Sequence, residues 1–336
     1  MNIKYFTCAN SCKGFINLTG SNIKGLGRVY RIKSSSANRI SCFIKDVGEY
    51  FESRNNLVEY ILSSSDKSIY DGCIIKSLNM CLLNSKICDT GTDIDLGTTD
   101  KYTRLEEKIQ GCYDRMYAAF AEAKKIHDDW EEVYIQNMDF EKLNTFKKKC
   151  IENMFYKIRG KGDAAICERF FGGSTKSGYV NLIDDLTSGI KSRYFIKGRP
   201  GTGKSTFMKE VAKEAESLGL DVQVYKCSFD PGSLDMVVVP EAGFCVFDST
   251  SPHEMFPTKI GDSVLDFYKE SGLIGVDEKH KKSLDEISVE YKRRINEGNE
   301  HLKLAALLEK ELEDKNNTVD FGEFSAREFI REIGNF

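Results

Sequence analysis

Between residues 109 and 134 the apolar side chains fall at Ile109, Tyr113, Met116, Phe120, Ala123, His127, Trp130 and Tyr134, in alternating steps of four and three. Cys112, Ala119, Ile126 and Val133 widen the stripe. That period predicts one long amphipathic helix, packed on its own domain or on a counterpart, with His127 as a packed histidine in the stripe. Tyr291, Ile295, Leu302, Ala305, Leu308 and Leu312 repeat the pattern more weakly. Short apolar runs at Arg193-Tyr194-Phe195-Ile196-Lys197 and Gly243-Phe244-Cys245-Val246-Phe247-Asp248 read instead as strands. The basic runs Lys147 to Lys149 and Lys279 to Lys282 read as solvated helix faces.

The chain also matches itself. Shifted by 164 positions, residues 4–85 lie over residues 168–249 with 20 identities in 82 positions, among them Phe6/Phe170, Gly14/Gly178, Tyr30/Tyr194, Asp66/Asp230, Asp71/Asp235 and Cys81/Cys245. Chance at average composition gives roughly 6%, or about five, so the chain reads as a tandem duplication. Further on, Tyr113 aligns with Tyr291 at an offset of 178, which implies about 14 extra residues in the second repeat, and Asp139-Phe140 resembles Asp320-Phe321. The glycine and charge cluster Arg159-Gly160-Lys161-Gly162-Asp163 places the boundary near residue 160. The first repeat is then 1–160, with a helical segment at about 101–157, and the second is 161–336, with a helical segment at about 262–335.

Composition narrows the function classes. The 336 residues carry 48 Lys and Arg against 52 Asp and Glu, a net charge of −4, with 40% hydrophobic residues. This balance is that of a soluble globular protein and lacks the basic footprint of a dedicated nucleic-acid binder. No stretch approaches 18 consecutive apolar residues and Met1 to Tyr5 do not open a signal peptide, so no membrane partner and a cytoplasmic location are expected. Eleven cysteines without Cys-x-x-Cys spacing read as reduced, mostly core thiols; Cys8 and Cys12 lack the second close pair of a structural zinc site.

Chemistry concentrates in the second repeat. After the strand ending at Lys197 comes Gly198-Arg199-Pro200-Gly201-Thr202-Gly203-Lys204-Ser205-Thr206, then a helix-like segment. This is G-x-x-x-x-G-K-[ST] in its strand-to-helix setting, where glycines let backbone N–H groups turn around phosphate oxygens. Lys204 is positioned for the β and γ phosphates and Ser205 for Mg²⁺. Asp248, at the end of an apolar strand, is the Walker B candidate that completes the metal site. All five prolines, Pro200, Pro231, Pro240, Pro252 and Pro257, fall in this repeat, around loops expected near the nucleotide. Thr250 and His253 are candidate supporting or substrate groups, and Glu241 a candidate for activating water.

The first repeat has Ser34-Ser35-Ser36-Ala37-Asn38-Arg39-Ile40-Ser41 in the place of the loop, and Asn84 where the second has Asp248. The loop glycines, the lysine and the carboxylate are lost together, as expected if they served one site. Asp66 and Asp71 persist, so the simplest role of their counterparts Asp230 and Asp235 is structural, in turns or caps; Ser205 persists as Ser41, so its presence alone discriminates nothing.

At these residues the chain resembles P-loop NTPases, and its tandem layout is similar to a bacterial family of duplicated P-loop ATPases. Members show Gly-x-Pro-Gly-Thr-Gly-Lys-Ser-Thr, then Ser-Leu-Asp (here Ser233-Leu234-Asp235), then Asp-Gly-Thr-Ala-Pro-His (here Asp248-Ser249-Thr250-Ser251-Pro252-His253). The resemblance implies an α/β fold of two tandem α/β/α domains with mostly parallel sheets, each followed by a long helical segment and joined as an intramolecular pseudo-dimer. It also implies binding of a nucleoside triphosphate with Mg²⁺. No Asn-Lys-x-Asp guanine-reading motif is present, which favours ATP over GTP. An ATPase, a kinase of a small-molecule or nucleotide acceptor with Arg293-Arg294 as a lid, and a nonhydrolysing scaffold are the three functions compatible with the sequence. Arg28 or Arg39 is a conceivable charge stabiliser supplied across the pseudo-dimer.

Overall fold

A computed structural model describes residues 3–160, 162–320 and 325–333; Lys161 of the boundary cluster and Phe321 lie outside the described residues. The first repeat runs through β1 (Ile3–Phe6), the hairpin β2 (Cys8–Ser11) and β3 (Gly14–Asn17), α1 (Thr19–Ile23), β4 (Arg28–Lys33) and α2 (Ala37–Glu52). It continues through β5 (Glu59–Leu62), β6 (Tyr70–Ile75), β7 (Met80–Asn84), β8 (Thr92–Asp95), the long helix α3 (Thr103–Ile135) and α4 (Phe140–Met154). The second opens with β9 (Ile166–Arg169), the hairpin β10 (Gly172–Thr175) and β11 (Gly178–Asn181), α5 (Ile183–Thr187), β12 (Ser192–Lys197) and α6 (Lys204–Ser217). It ends with β13 (Val222–Lys226), β14 (Leu234–Val239), β15 (Phe244–Asp248), β16 (Asp262–Asp266), α7 (Phe267–Glu270), α8 (Val276–Lys279), α9 (Lys281–Asn316) and α10 (Ala326–Ile333). At the 164-residue shift the hairpins, the short helices after them, and the pairs β4/β12, β6/β14 and β7/β15 begin and end at equivalent residues. Strand β16 lies inside the segment expected to be helical from 262, so the helices of that repeat begin later.

Each repeat builds a six-stranded, mostly parallel α/β sheet, in the order β1-β5-β6-β7-β4-β8 and β9-β13-β14-β15-β12-β16. The two antiparallel joints in each are β5–β6 and β6–β7, or β13–β14 and β14–β15. The central strands are apolar on both faces, as sheets covered on two sides require: Cys73 to Ile75, Met80 to Leu83 and Met236 to Val239 are all buried. Eleven free cysteines are present, Cys73, Cys81 and Cys245 among the buried core.

Equivalent residues of the two repeats meet one another, the signature of an approximate twofold relation. Phe6 and Phe170 exchange backbone hydrogen bonds of 3.0 and 2.8 Å. Beside them the Arg169 guanidinium stacks 3.8 Å from the ring centroid of Tyr5, its own counterpart, while donating to Asn22 at 2.7 Å and Glu59 at 2.8 Å.

The long helices α3 and α9 run antiparallel along each other. Tyr113 donates to Glu309 at 2.7 Å, Met116 and Phe120 pack with Leu302, and Tyr134 packs with Leu284. Each helix then delivers its successor to the other repeat. Leu143 and Met154 of α4 enter the core of the second repeat with Phe207 and Val211, and Ala326 and Phe329 of α10 enter the core of the first with Ile40 and Phe43. The repeats, consecutive in sequence, are thus interlocked in space. Lys147, read from sequence as a solvated position, is buried on α4 and donates to Glu210 of α6 at 2.7 Å; the crossover turns that face inward.

Candidate functional site

Strand β12 lies between β15 and the edge strand β16, and the loop after Lys197 emerges at the C-terminal ends of these strands, the side on which open α/β folds bind ligands. Gly201 and Gly203 have φ of 76° and 78°, the left-handed region that glycine enters without penalty. A Cβ on Gly201 would stand 2.7 Å from the Glu131 carbonyl oxygen of α3, and one on Gly198 would stand 2.6 Å from Thr202 Oγ1. The turn therefore tolerates no larger residue at these places. Thr202 closes it by donating to the Arg199 carbonyl at 2.8 Å.

Lys204, the first residue of α6, reaches back across the loop to donate to the Arg199 carbonyl at 2.8 Å, with its Nζ 3.5 Å from Asp248 Oδ2. The register of β12 against β15 sets Asp248 beside Ile196, which brings the two expected groups together. Asp248 Oδ1 accepts from the Thr250 backbone at 3.1 Å and the Thr250 hydroxyl at 2.6 Å, leaving Oδ2 turned toward the loop. Ser205 Oγ accepts the Leu234 N–H at 2.9 Å.

Behind Asp248 lies the buried Asp235. Burial raises its carboxyl pKa to about 6, with His253 opposing and the Asp248 charge adding to the rise. His253 Nε2 is 3.8 Å from Asp235, and its Nδ1 is 2.8 Å from the Asp248 carbonyl oxygen. The ring stands edge-on to Phe171 at 5.4 Å and is buried. His253 and Thr250 thus hold the Asp248 turn rather than face a substrate.

A residue set of which the sequence singled out only His127, as a packed histidine, comes from the first repeat. Helix α3 crosses over the loop and turns Lys124, His127, Asp128 and Glu131 toward it, at the helical spacing i, i+3, i+4 and i+7. Lys124 is 3.6 Å from Asp230, and His127 lies between Phe229 and Tyr291, with ring centroids at 6.4 and 5.7 Å. Burial, then the charges of Lys124 and Lys204, lower the His127 pKa to about 4, so it is neutral at physiological pH. Burial also raises the Glu131 carboxyl. The 3.5-residue stripe concealed these groups because it reads the same whether the helix packs on its own sheet or on another.

Other candidates fall elsewhere. Arg199 turns outward to Asp277 of α8 at 2.9 Å, and Thr206 is exposed on α6. Glu241 sits at the opposite end of β15, accepting from the Asp221 N–H at 3.0 Å, and Pro240 shares that remote turn. Arg293 and Arg294 pair with Glu290 and Glu297 along α9 and form no lid. Arg28 donates to the Leu78 carbonyl at 2.7 Å within its own repeat, and Arg39 lies on α2, also in the first repeat.

The first repeat shows what loss of the glycines does. Without them α2 starts at Ala37, one turn earlier than α6, and the Ser36 side chain caps it by accepting from the Arg39 N–H at 3.1 Å. Glu313 of α9 completes the closure, its carboxylate accepting from the Ser36 hydroxyl and from the Ala37 N–H at 3.0 Å. A carboxylate from the protein thus occupies the helix N-terminus that would otherwise attract an anion. The retained residues have structural partners: Ser41 accepts the Tyr70 N–H at 3.0 Å as Ser205 does from Leu234, and Asp66 pairs with Lys176 where Asp230 pairs with Lys13 at 3.5 Å. Both aspartates therefore tie one repeat to the other.

Among the described residues no helix is long and apolar enough to cross a membrane. No family model, no curated protein and no solved structure matches the chain.

Proposed function

We propose that the second repeat binds ATP with Mg²⁺ at residues 198–206 and hydrolyses it at a single site, while the first repeat serves as scaffold and regulator. The observation that carries this reading is the convergence of Lys204 Nζ and Asp248 Oδ2, 3.5 Å apart, beside a loop whose glycines admit no side chain. A phosphate chain entering the loop would take Lys204 from the Arg199 carbonyl, exchanging a neutral acceptor for a charged one. Ser205 and Asp248 offer the oxygen donors that Mg²⁺ prefers, and Asp248 Oδ2 is the oxygen that Thr250 leaves open. Bound there, Mg²⁺ supplies charge neutralisation of the phosphate oxygens. Since the main chain of Glu131 abuts Gly201, nucleotide occupancy bears directly on α3 and, through it, on α9 and the other repeat. This is a route from the site to the packing of the whole molecule.

Water as acceptor is favoured over a metabolite because Thr250 and His253, the side chains best placed for an acceptor, are already engaged by Asp248. Phosphate release from ATP and Mg²⁺ with no added acceptor, lost in Lys204→Ala, is the expected result. Transfer of label from γ-labelled ATP to a metabolite would make the protein a kinase instead, and tight binding without turnover would make it a nonhydrolysing scaffold.

A further inference from the structure

A wide cleft lies in the repeat that lost its phosphate loop. It has a volume of about 1140 Å³ and lies between the C-terminal edge of the first sheet and the helices α3 and α9, the place equivalent to the loop site of the second repeat. Ligand sites of small molecules are typically ~300–1,000 Å³, so this space slightly exceeds that range and is ample for a small molecule. At the offsets of 164 and 178 residues, Ser65 and Ala306 of this cleft correspond to Phe229 and Asp128. Small residues on both walls keep the space open, against the ordinary tendency of protein interiors to fill.

We propose that this cleft is a second ligand site, and that it takes a small organic ammonium compound rather than a phosphate ester. Phosphate is disfavoured twice: Ile40 replaces the lysine, and the Glu313 carboxylate covers the N-terminus of α2. The wall carries six carboxylate side chains against four lysines; Lys176 pairs with Asp66, which leaves five against three. Tyr113 and Tyr117 line the cleft as a stacked pair, centroids 6.3 Å apart at 28°. Aromatic faces beside a carboxylate are the recognition chemistry of organic cations. The carboxylate is Glu309, which lines the same wall and accepts the Tyr113 hydroxyl at 2.7 Å. Its burial raises its carboxyl pKa even against the opposing Tyr113 hydrogen bond and the charges of Lys176 and Lys86, a remaining penalty that an ammonium group in the cleft would relieve. The proposal is independent of whether the second repeat turns over ATP.

Calorimetric titration of the full chain with spermidine and with choline tests it, with inorganic phosphate as the anion control. One saturable ammonium site per chain is expected, weakened about tenfold or more by Glu309→Gln through loss of a charge-assisted contact, and unchanged in Lys204→Ala. Ser65→Phe, which installs the residue of the second repeat, is expected to block the site while leaving thermal unfolding cooperative, and serves should Glu309→Gln fail to fold. No saturable binding of either ammonium probe overturns the proposal. So does an affinity indifferent to both substitutions, or phosphate binding that Ser65→Phe abolishes.

Discussion

Asn84 donates a 2.8 Å hydrogen bond to Asp71 in the first repeat, at the place where the second repeat sets the Asp248 carboxylate against Asp235. The amide satisfies a buried acid; the carboxylate adds charge to one. A site for a metal ion must hold such a pair in its absence, and that holding costs stability. Asp248→Asn is therefore predicted to raise the stability of the nucleotide-free chain at pH 7 by about 1 kcal/mol and to abolish Mg²⁺-dependent nucleotide binding. Parallel denaturation and nucleotide titration check it; a less stable variant that still binds would contradict it.

The same pair gives a pH dependence with a definite sign. Asp235 has its folded pKa raised to about 6, above the ~3.9 of an unfolded aspartate, so the native state holds the proton longer. Its contribution to stability is full below about pH 4 and is lost as pH rises to about 6. Asp235→Asn should thus gain on the wild type with rising pH, by up to about 3 kcal/mol at pH 7 relative to pH 4. Urea unfolding at the two pH values measures the gap, and a constant gap would show that Asp235 ionises freely.

Phe120 and Gly298 occupy equivalent positions of α3 and α9 and face each other where the helices cross. A Cβ on Gly298 would come within 2.4 Å of the Phe120 ring. A symmetric dimer of one repeat would set like against like here; duplication in one chain allows a large residue opposite none. Gly298→Ala is predicted to destabilise by about 1–3 kcal/mol through overpacking, despite the better helix propensity of alanine, and Phe120→Leu should recover part of that loss. Additive effects in the double variant would contradict the contact.

Phe329 of α10 packs edge-on to Tyr30 at 4.9 Å and against Phe43 at 5.6 Å, in the core of the first repeat although it belongs to the second in sequence. Phe329→Ala should cost about 3–5 kcal/mol and expose amides of β4 and α2 to hydrogen exchange before those of β12 and α6. Earlier exchange in β12 and α6 would place α10 on its own repeat.

How much of this was legible in the sequence follows from what each signal encodes. The shift of 164 residues marked β4 with β12 and β7 with β15, because strand and loop lengths survive duplication when side chains do not. The glycine loop and Asp248 were readable because each needs a particular residue type at a particular step. The exchange of α4 and α10 was not, since an apolar stripe names no partner; that is why Lys147 was misplaced, why Lys124 and Glu131 went unnoticed, and why His127, read as packed, could not be placed beside the loop. Glu313 was hidden for the same reason: it reaches Ser36 and Ala37 from the far end of a helix in the other repeat.

The central claim is that one repeat grips a polyphosphate while its counterpart has given up that grip. Equilibrium titration of the chain with Mg²⁺ and ATP, compared with Lys204→Ala and Ile40→Lys, measures this most directly. One ATP per chain is predicted for the wild type and for Ile40→Lys, and none for Lys204→Ala, because the first repeat lacks the glycines as well as the lysine and keeps Glu313 on its helix. Undiminished binding by Lys204→Ala, or two ATP per chain in Ile40→Lys, would contradict the claim.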